Sequence, residues 1–224
     1  MEKFKNKKLI NLLILSSALI FLGIFVKLTF ELREDNNVYF LDREILLAMA
    51  KIRNPILDQL MTTITSLGSV PVFSIFSLII ITSLIFFKNF YQIVYLVFGN
   101  CSAAVISYVS KLFFVRPRPT LIPRLVEVSG FSYPSGHALS ATIFYFTLAV
   151  IISFKLKNKN LKIFIFFFSA LIISLISFSR VYLGVHFPSD VVSGASLGMS
   201  YFLFLTYSYL YFINKKNQEK NAVT

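Results

Sequence analysis

The chain has no tryptophan, a single cysteine and only ten acidic residues among its 224. Charged side chains of both signs together make up 14%, against roughly a quarter in soluble domains, which excludes an ordinary water-facing surface. Cys101 has no partner for an internal disulfide and lies inside an apolar run, so it carries no information about redox compartment. Internal repeats and low-complexity domains are absent as well, and one domain spanning residues 1–224 is expected.

What remains is apolar: 56% of the residues are hydrophobic. Crossing about 30 Å of hydrocarbon takes 18 or more such residues in a row. Six runs qualify or come close: Leu9 to Phe30, Val70 to Phe87, Tyr91 to Phe114, Ala138 to Phe154, Leu161 to Phe178 and Pro188 to Ile213. Lipid leaves backbone polar groups unsatisfied, and the runs lack the alternation of a barrel strand, so each is expected to be a helix. The predicted fold is therefore all-α, an integral membrane bundle of six transmembrane helices. The first run follows the basic stub MEKFKNKK but is long for a signal peptide and ends without a small-residue cleavage pattern, so it is expected to be a retained span.

Six spans put both termini on one side. Lys3, Lys5, Lys7, Lys8, Lys88, Lys155, Lys157, Lys159, Lys162, Lys215, Lys216 and Lys220 flank the runs on the termini's side, twelve against nine on the other, and the positive-inside bias predicts cytoplasmic termini. Anionic inner-leaflet lipid is the partner this implies. The net charge of +12 would also suit nucleic acid, but the tails are short and lack interleaved aromatics, so no nucleic-acid partner is expected. The first outer loop, Glu31 to Ser69, carries two amphipathic faces. Ile45, Leu46, Met49 and Ile52 follow a candidate N-cap at Asp42; Ile56, Leu57, Leu60, Met61 and Ile64 follow Asn54-Pro55. Two short helices on the outer membrane surface are predicted, serving equally well as a cap on the bundle or as a guide for substrate.

Ionisable groups at span ends are costly unless they snorkel, pair or act chemically. Three clusters stand out. In KLFFVRPRP, Lys111 occupies the last turns of the third span and the prolines force Arg116 and Arg118 into an extended segment. Arg116 is read as an ordinary interfacial snorkeller. In FSYPSGHALS, Ser135, Gly136 and His137 stand at the start of the fourth span. Unpaired N–H groups and a positive helix end there suit a phosphate, with Gly136 admitting it to the backbone. In SRVYLGVHFPSD, Asp190 lies one turn into the sixth helix, within reach of His186 just before it. A carboxylate so placed accepts a hydrogen bond from one imidazole N–H, which keeps that nitrogen protonated, presents the other as a lone pair and stabilises the imidazolium that forms later.

Each cluster alone has a plainer reading: snorkelling, a capped helix, a favourable helix-end charge. All three, however, fall on one membrane face. Together they supply His137, His186, Asp190 and three cations, Lys111, Arg118 and Arg180, a set suited to phosphoryl transfer. Two histidines and an aspartate also make a possible zinc set, but the neighbouring cations repel a dication, so neither metal nor cofactor is expected. Gly194 and Gly198 form a GxxxG assigned to helix packing.

At these residues the chain strongly resembles the type 2 phosphatidic acid phosphatase family of membrane lipid phosphatases. The three family motifs, K-x6-RP, PSGH and SR-x5-H-x3-D, are filled at every fixed position. The resemblance implies a phosphohistidine formed on His186, Asp190 as its orienting partner and His137 as general acid. It implies that Lys111, Arg118, Ser135, Gly136 and Arg180 bind the phosphate. The compact chain looks most like small bacterial members that dephosphorylate undecaprenyl pyrophosphate or phosphatidylglycerophosphate at the outer face of the cytoplasmic membrane. A lipid- or anion-binding transporter and a lipid phosphotransferase are the alternatives; the motifs leave tail specificity and oligomeric state open.

Overall fold

The computed structural model describes residues 2–34 and 36–223. The side chains of residues 1–8, 33–37, 217 and 220–224 lie outside the described residues, and with them the lysines of the amino-terminal stub and Lys220. The described residues form eight helices: α1 (Glu2–Glu34), α2 (Asn36–Lys51), α3 (Pro55–Ser66), α4 (Val70–Phe86), α5 (Phe90–Phe114), α6 (Gly136–Ser153), α7 (Lys159–Tyr182) and α8 (Pro188–Val223). α1, α5, α6, α7 and α8 are long and apolar enough to cross a membrane. α4, with 17 residues, qualifies only together with α3, from which it bends by 47°. The predicted all-α membrane bundle is the observed architecture, and the bent pair of α3 and α4 brings the candidate spans to six.

α6 is the centre, packed against α5, α7 and α8, while α1 lies along α8. Leu139, Ala141, Ile143, Phe144 and Ala149 are completely buried in α6. The outer helices turn large apolar residues outward, among them Leu12, Leu19, Leu78, Val94, Phe113 and Phe167. In water such a surface would associate; lipid solvates it at little cost. The α6–α8 approach depends on Gly194 and Gly198. A Cβ at Gly194 would collide with the Ser135 backbone, and one at Gly198 would come within 2.7 Å of the Leu139 carbonyl oxygen. The expected packing role of GxxxG is thus met by backbone contact, and it presses the start of α8 onto the start of α6.

Two expectations for the first loop are corrected. Asp42 does not cap α2; it lies inside that helix and is 1% exposed. Its carboxylate accepts hydrogen bonds from α8 and Arg116 instead. The buried face of α2 is also rotated from the predicted one. Leu46 is buried, but Ile45 and Ile52 are exposed, because Asp42, Leu46 and Met49 turn toward α7 and α8. α3 starts from the Asn54 side chain, which accepts from the Leu57 N–H at 3.0 Å, and buries Met61 and Thr65 against α7.

Candidate active site

α5 ends at Phe114, where Val115 adopts φ 51°, a left-handed conformation that costs a β-branched residue about 1–3 kcal/mol. The turn sends Arg116 and Arg118 back across the bundle as an extended pair, and alternate residues of an extended chain share a side. Arg118 donates from Nε to the Gly130 carbonyl (3.0 Å), from Nη2 to Ser129 (2.9 Å) and from Nη1 to Val185 (2.8 Å). It thereby stitches the loop before α6 to the loop before α8. Lys111 Nζ donates to the Phe131 carbonyl at 2.7 Å, on the same loop.

Ser135 is the N-cap of α6 and is fully buried. Its Oγ accepts from the Ala138 N–H at 3.5 Å, and its own N–H donates to the Asp190 carbonyl at 2.9 Å. Gly136 has a role beyond the one expected of it: a Cβ there would meet Ser107 Oγ at 2.7 Å. Its missing side chain admits α5, which carries Lys111 up to the start of α6. His137 follows in the first turn, half-buried, beneath the α3–α4 elbow. A Cβ on Gly68 would come within 3.1 Å of its Cδ2. Its imidazole lies within electrostatic reach of Arg180, His186, Lys111 and Arg118.

The last turn of α7 carries Arg180, which is 3% exposed. Nη1 donates to Thr65 Oγ1 of α3 at 2.8 Å, and Nε is buried with no hydrogen-bond partner among the described residues. Gly184, at φ 74°, then folds the chain back so that the His186 N–H reaches the Arg180 carbonyl. Only glycine fits that turn, since a Cβ would also press on Arg53, Ile122 and the Pro123 carbonyl. His186 is 2% exposed. Its Nδ1 faces Asp190 Oδ2 at 3.4 Å, and its Nε2 lies 3.3 Å from Arg118 Nη1. Oδ2 also accepts from the Phe187 N–H at 2.9 Å.

The eight residues singled out in the sequence therefore converge, from four helices and two loops, on one end of the bundle. Arg116 joins them, contrary to the snorkelling expected of it. Its guanidinium bonds Asp190 Oδ1 and Ser189 Oγ through Nη1, bonds Asp42 Oδ2 through Nη2, and sits 4.2 Å from the centre of the Phe187 ring. Two buried carboxylates hold it more strongly than water would. Thr65, Asp42 and Ser189 were also missed, and only Asp42 left a trace, as an acid one turn before the apolar Leu46. No group of three or more His, Cys, Asp or Glu side chains among the described residues is arranged to hold a metal ion.

Burial pushes the His186 imidazole down to about 4, the hydrogen bond to Asp190 offsetting part of that effect. A ring of this kind is neutral at pH 7, with a free lone pair. Titration followed by 15N NMR is expected to show it still neutral at about pH 5.5; half-protonation near the ordinary 6.5 would mean the ring is hydrated. An unfolded chain binds the proton near 6.5 and the folded one near 4, so this group lowers stability progressively as pH falls between those values.

The family model of the PAP2 superfamily matches residues 92–214, a segment that holds every one of these motif residues. The chain belongs to the PAP2 superfamily. Among its PAP2 relatives, phosphatidylglycerophosphatase B of Bacillus subtilis is 35% identical over 173 residues, covering 75% of this chain and 82% of the relative. An undecaprenyl-diphosphatase of Sulfolobus acidocaldarius is 34% identical over 106 residues, covering 47% of this chain and 46% of the relative. The crystal structure of a transmembrane PAP2 type phosphatidylglycerolphosphate phosphatase from Bacillus subtilis superposes with a TM-score of 0.80 at 30% identity. It covers 85% of this chain and 94% of that one. The chain is thus a multi-pass membrane lipid phosphatase of the PAP2 superfamily.

Proposed function

We propose that this PAP2 protein removes the terminal phosphate of phosphatidylglycerophosphate, with a polyprenyl pyrophosphate as the second substrate, through a phosphohistidine on His186. One observation carries the reading: a buried imidazole is held by a carboxylate at one nitrogen while a guanidinium stands 3.3 Å from the other. Nε2 is then the attacking atom. Its lone pair forms the N–P bond as the P–O bond to the lipid breaks, and His137 supplies the proton that the leaving oxygen takes up. Water next attacks phosphorus, His137 accepts its proton, and phosphate departs from Nε2 with the imidazole regenerated.

Arg180 Nε, Lys111, Arg118 and the Ser135–Gly136 helix start bind the phosphoryl oxygens and neutralise the charge spread over the three equatorial oxygens in the transition state. These cations do the neutralising that a metal performs elsewhere, so turnover proceeds in chelator. The preference for phosphatidylglycerophosphate rests on the relative that matches over most of both chains, and the polyprenyl alternative on the shorter match. The whole chain acts as one domain in a bacterial cytoplasmic membrane, with termini in the cytoplasm and the site on the outer face. Support for that orientation comes from the lysines around Lys88, Lys155 and Lys216, which gather at the end of the bundle opposite the site, where anionic inner-leaflet lipids meet them.

The test is phosphate release from phosphatidylglycerophosphate, undecaprenyl pyrophosphate and phosphatidic acid, side by side, with and without EDTA. Turnover of phosphatidylglycerophosphate with the highest kcat/KM, undiminished by EDTA, is expected. Binding of these lipids without release of phosphate, or activity only when a divalent ion is restored, would reject the reading.

A further inference from the structure

A carboxylate that steers a histidine must itself be kept from turning, and in this chain the restraint comes from the first outer loop. Asp190 presents Oδ2 to His186, while Oδ1 is bonded to Arg116 Nη1. Arg116 could swing away on its long side chain, but its second amino group is bonded to Asp42 Oδ2 at 2.8 Å, and its face rests on Phe187. Asp42 is anchored in turn. It is 1% exposed, its Oδ1 accepts from the Ser189 N–H at 2.9 Å, and its Oδ2 accepts from Ser189 Oγ. Ser189 is the residue next to Asp190, so the chain of contacts closes on itself: α2, the extended segment after α5, and the first turn of α8.

Planarity makes this a rigid link. A guanidinium with one carboxylate on each amino group cannot rotate without breaking both bonds, and all the partners are shielded from water that would replace them. We propose that Asp42 is a positioning residue of the phosphatase reaction: through Arg116 it holds the Asp190 carboxylate in the orientation that keeps His186 aligned for attack. The proposal rests on the reading of His186 as nucleophile. It also gives α2 a part in the chemistry, where the sequence suggested only a cap or a guide for substrate.

A purely structural role is the competitor, because Asp42 also caps the start of α8 through Ser189. The two differ in what Arg116 must do. Asp42→Asn keeps the shape and an acceptor oxygen for Ser189 but removes the charge that holds Arg116. Its kcat on a phosphorylated lipid is expected to fall roughly 10- to 100-fold, the scale of a slight misplacement of reacting groups, with KM within about twofold. Arg116→Gln should fall in the same way, and the double variant should be no worse than the more impaired single one. A cap would give another pattern: kcat near wild type with a lowered melting temperature, or a loss that adds in full to that of Arg116→Gln. Either result overturns the proposal. Should Asp42→Asn fail to fold, Arg116→Gln decides alone: reduced kcat at unchanged KM supports the link, and wild-type kcat removes it. His186→Ala, run in parallel, separates the two levels. If it is inactive while Asp42→Asn is normal, only the positioning role falls; if it is active, the nucleophile assignment and the proposal fall together.

Discussion

Phosphate release from lipid vesicles in EDTA is expected to drop by at least about 10³-fold when His186 is replaced by alanine. The replacement removes the buried imidazole whose Nε2 is proposed to attack phosphorus, and water in the vacated space is a far poorer nucleophile. Melting temperature should stay near the wild-type value, since the loop around residue 186 is held by its backbone and by Arg118, not by the imidazole alone. Incubation of the wild-type protein with labelled substrate and rapid quenching should leave an acid-labile, base-stable label on the protein, absent from the variant. An active alanine variant, or a label that survives acid, would place the covalent chemistry elsewhere.

Arg180→Lys is expected to lose roughly 10²- to 10³-fold in kcat/KM, the scale seen when one donor to a developing oxyanion is removed. Charge is conserved in this substitution, so the loss measures geometry. Arg180 spends Nη1 on Thr65, which fixes the plane of the guanidinium, and keeps Nε buried and unpaired among the described residues. A lysine ammonium cannot bond Thr65 and also present a second donor in a fixed direction. A variant within about threefold of wild type would show that Arg180 serves only as a positive charge.

The elements that the sequence predicted well are those whose cause is local. Each long helix follows from a continuous apolar run, and its boundary signals sit beside it: the Pro117 and Pro119 pair stops α5, and Pro188 starts α8. His186 and Asp190 were legible as a pair because four residues across a helix start is a fixed geometry. Lys111, Arg118, His137 and Arg180 were legible as motif positions, although no spacing predicts that Arg118 would tie three carbonyls together while flanking His186.

Asp42 and Arg116 were misread for one reason. A surface acid before an amphipathic stretch and an arginine after a span have ready local explanations, and nothing nearby in the chain contradicts them. Their partners are remote: Asp42 meets Arg116 across 74 residues and Ser189 across 147. The 47° bend between α3 and α4 is likewise a tertiary feature, with His137 and Ile176 packed against Gly68.

By itself, then, the sequence determined that the chain is a helical membrane bundle carrying phosphate-handling chemistry at one end, since hydrophobic length and helix-end spacing act over a few turns. Tertiary structure alone decided which polar groups are held and by what. In a dry interior a charge settles on whichever partner the fold brings within 3 Å, and that choice depends on packing between helices far apart in the chain.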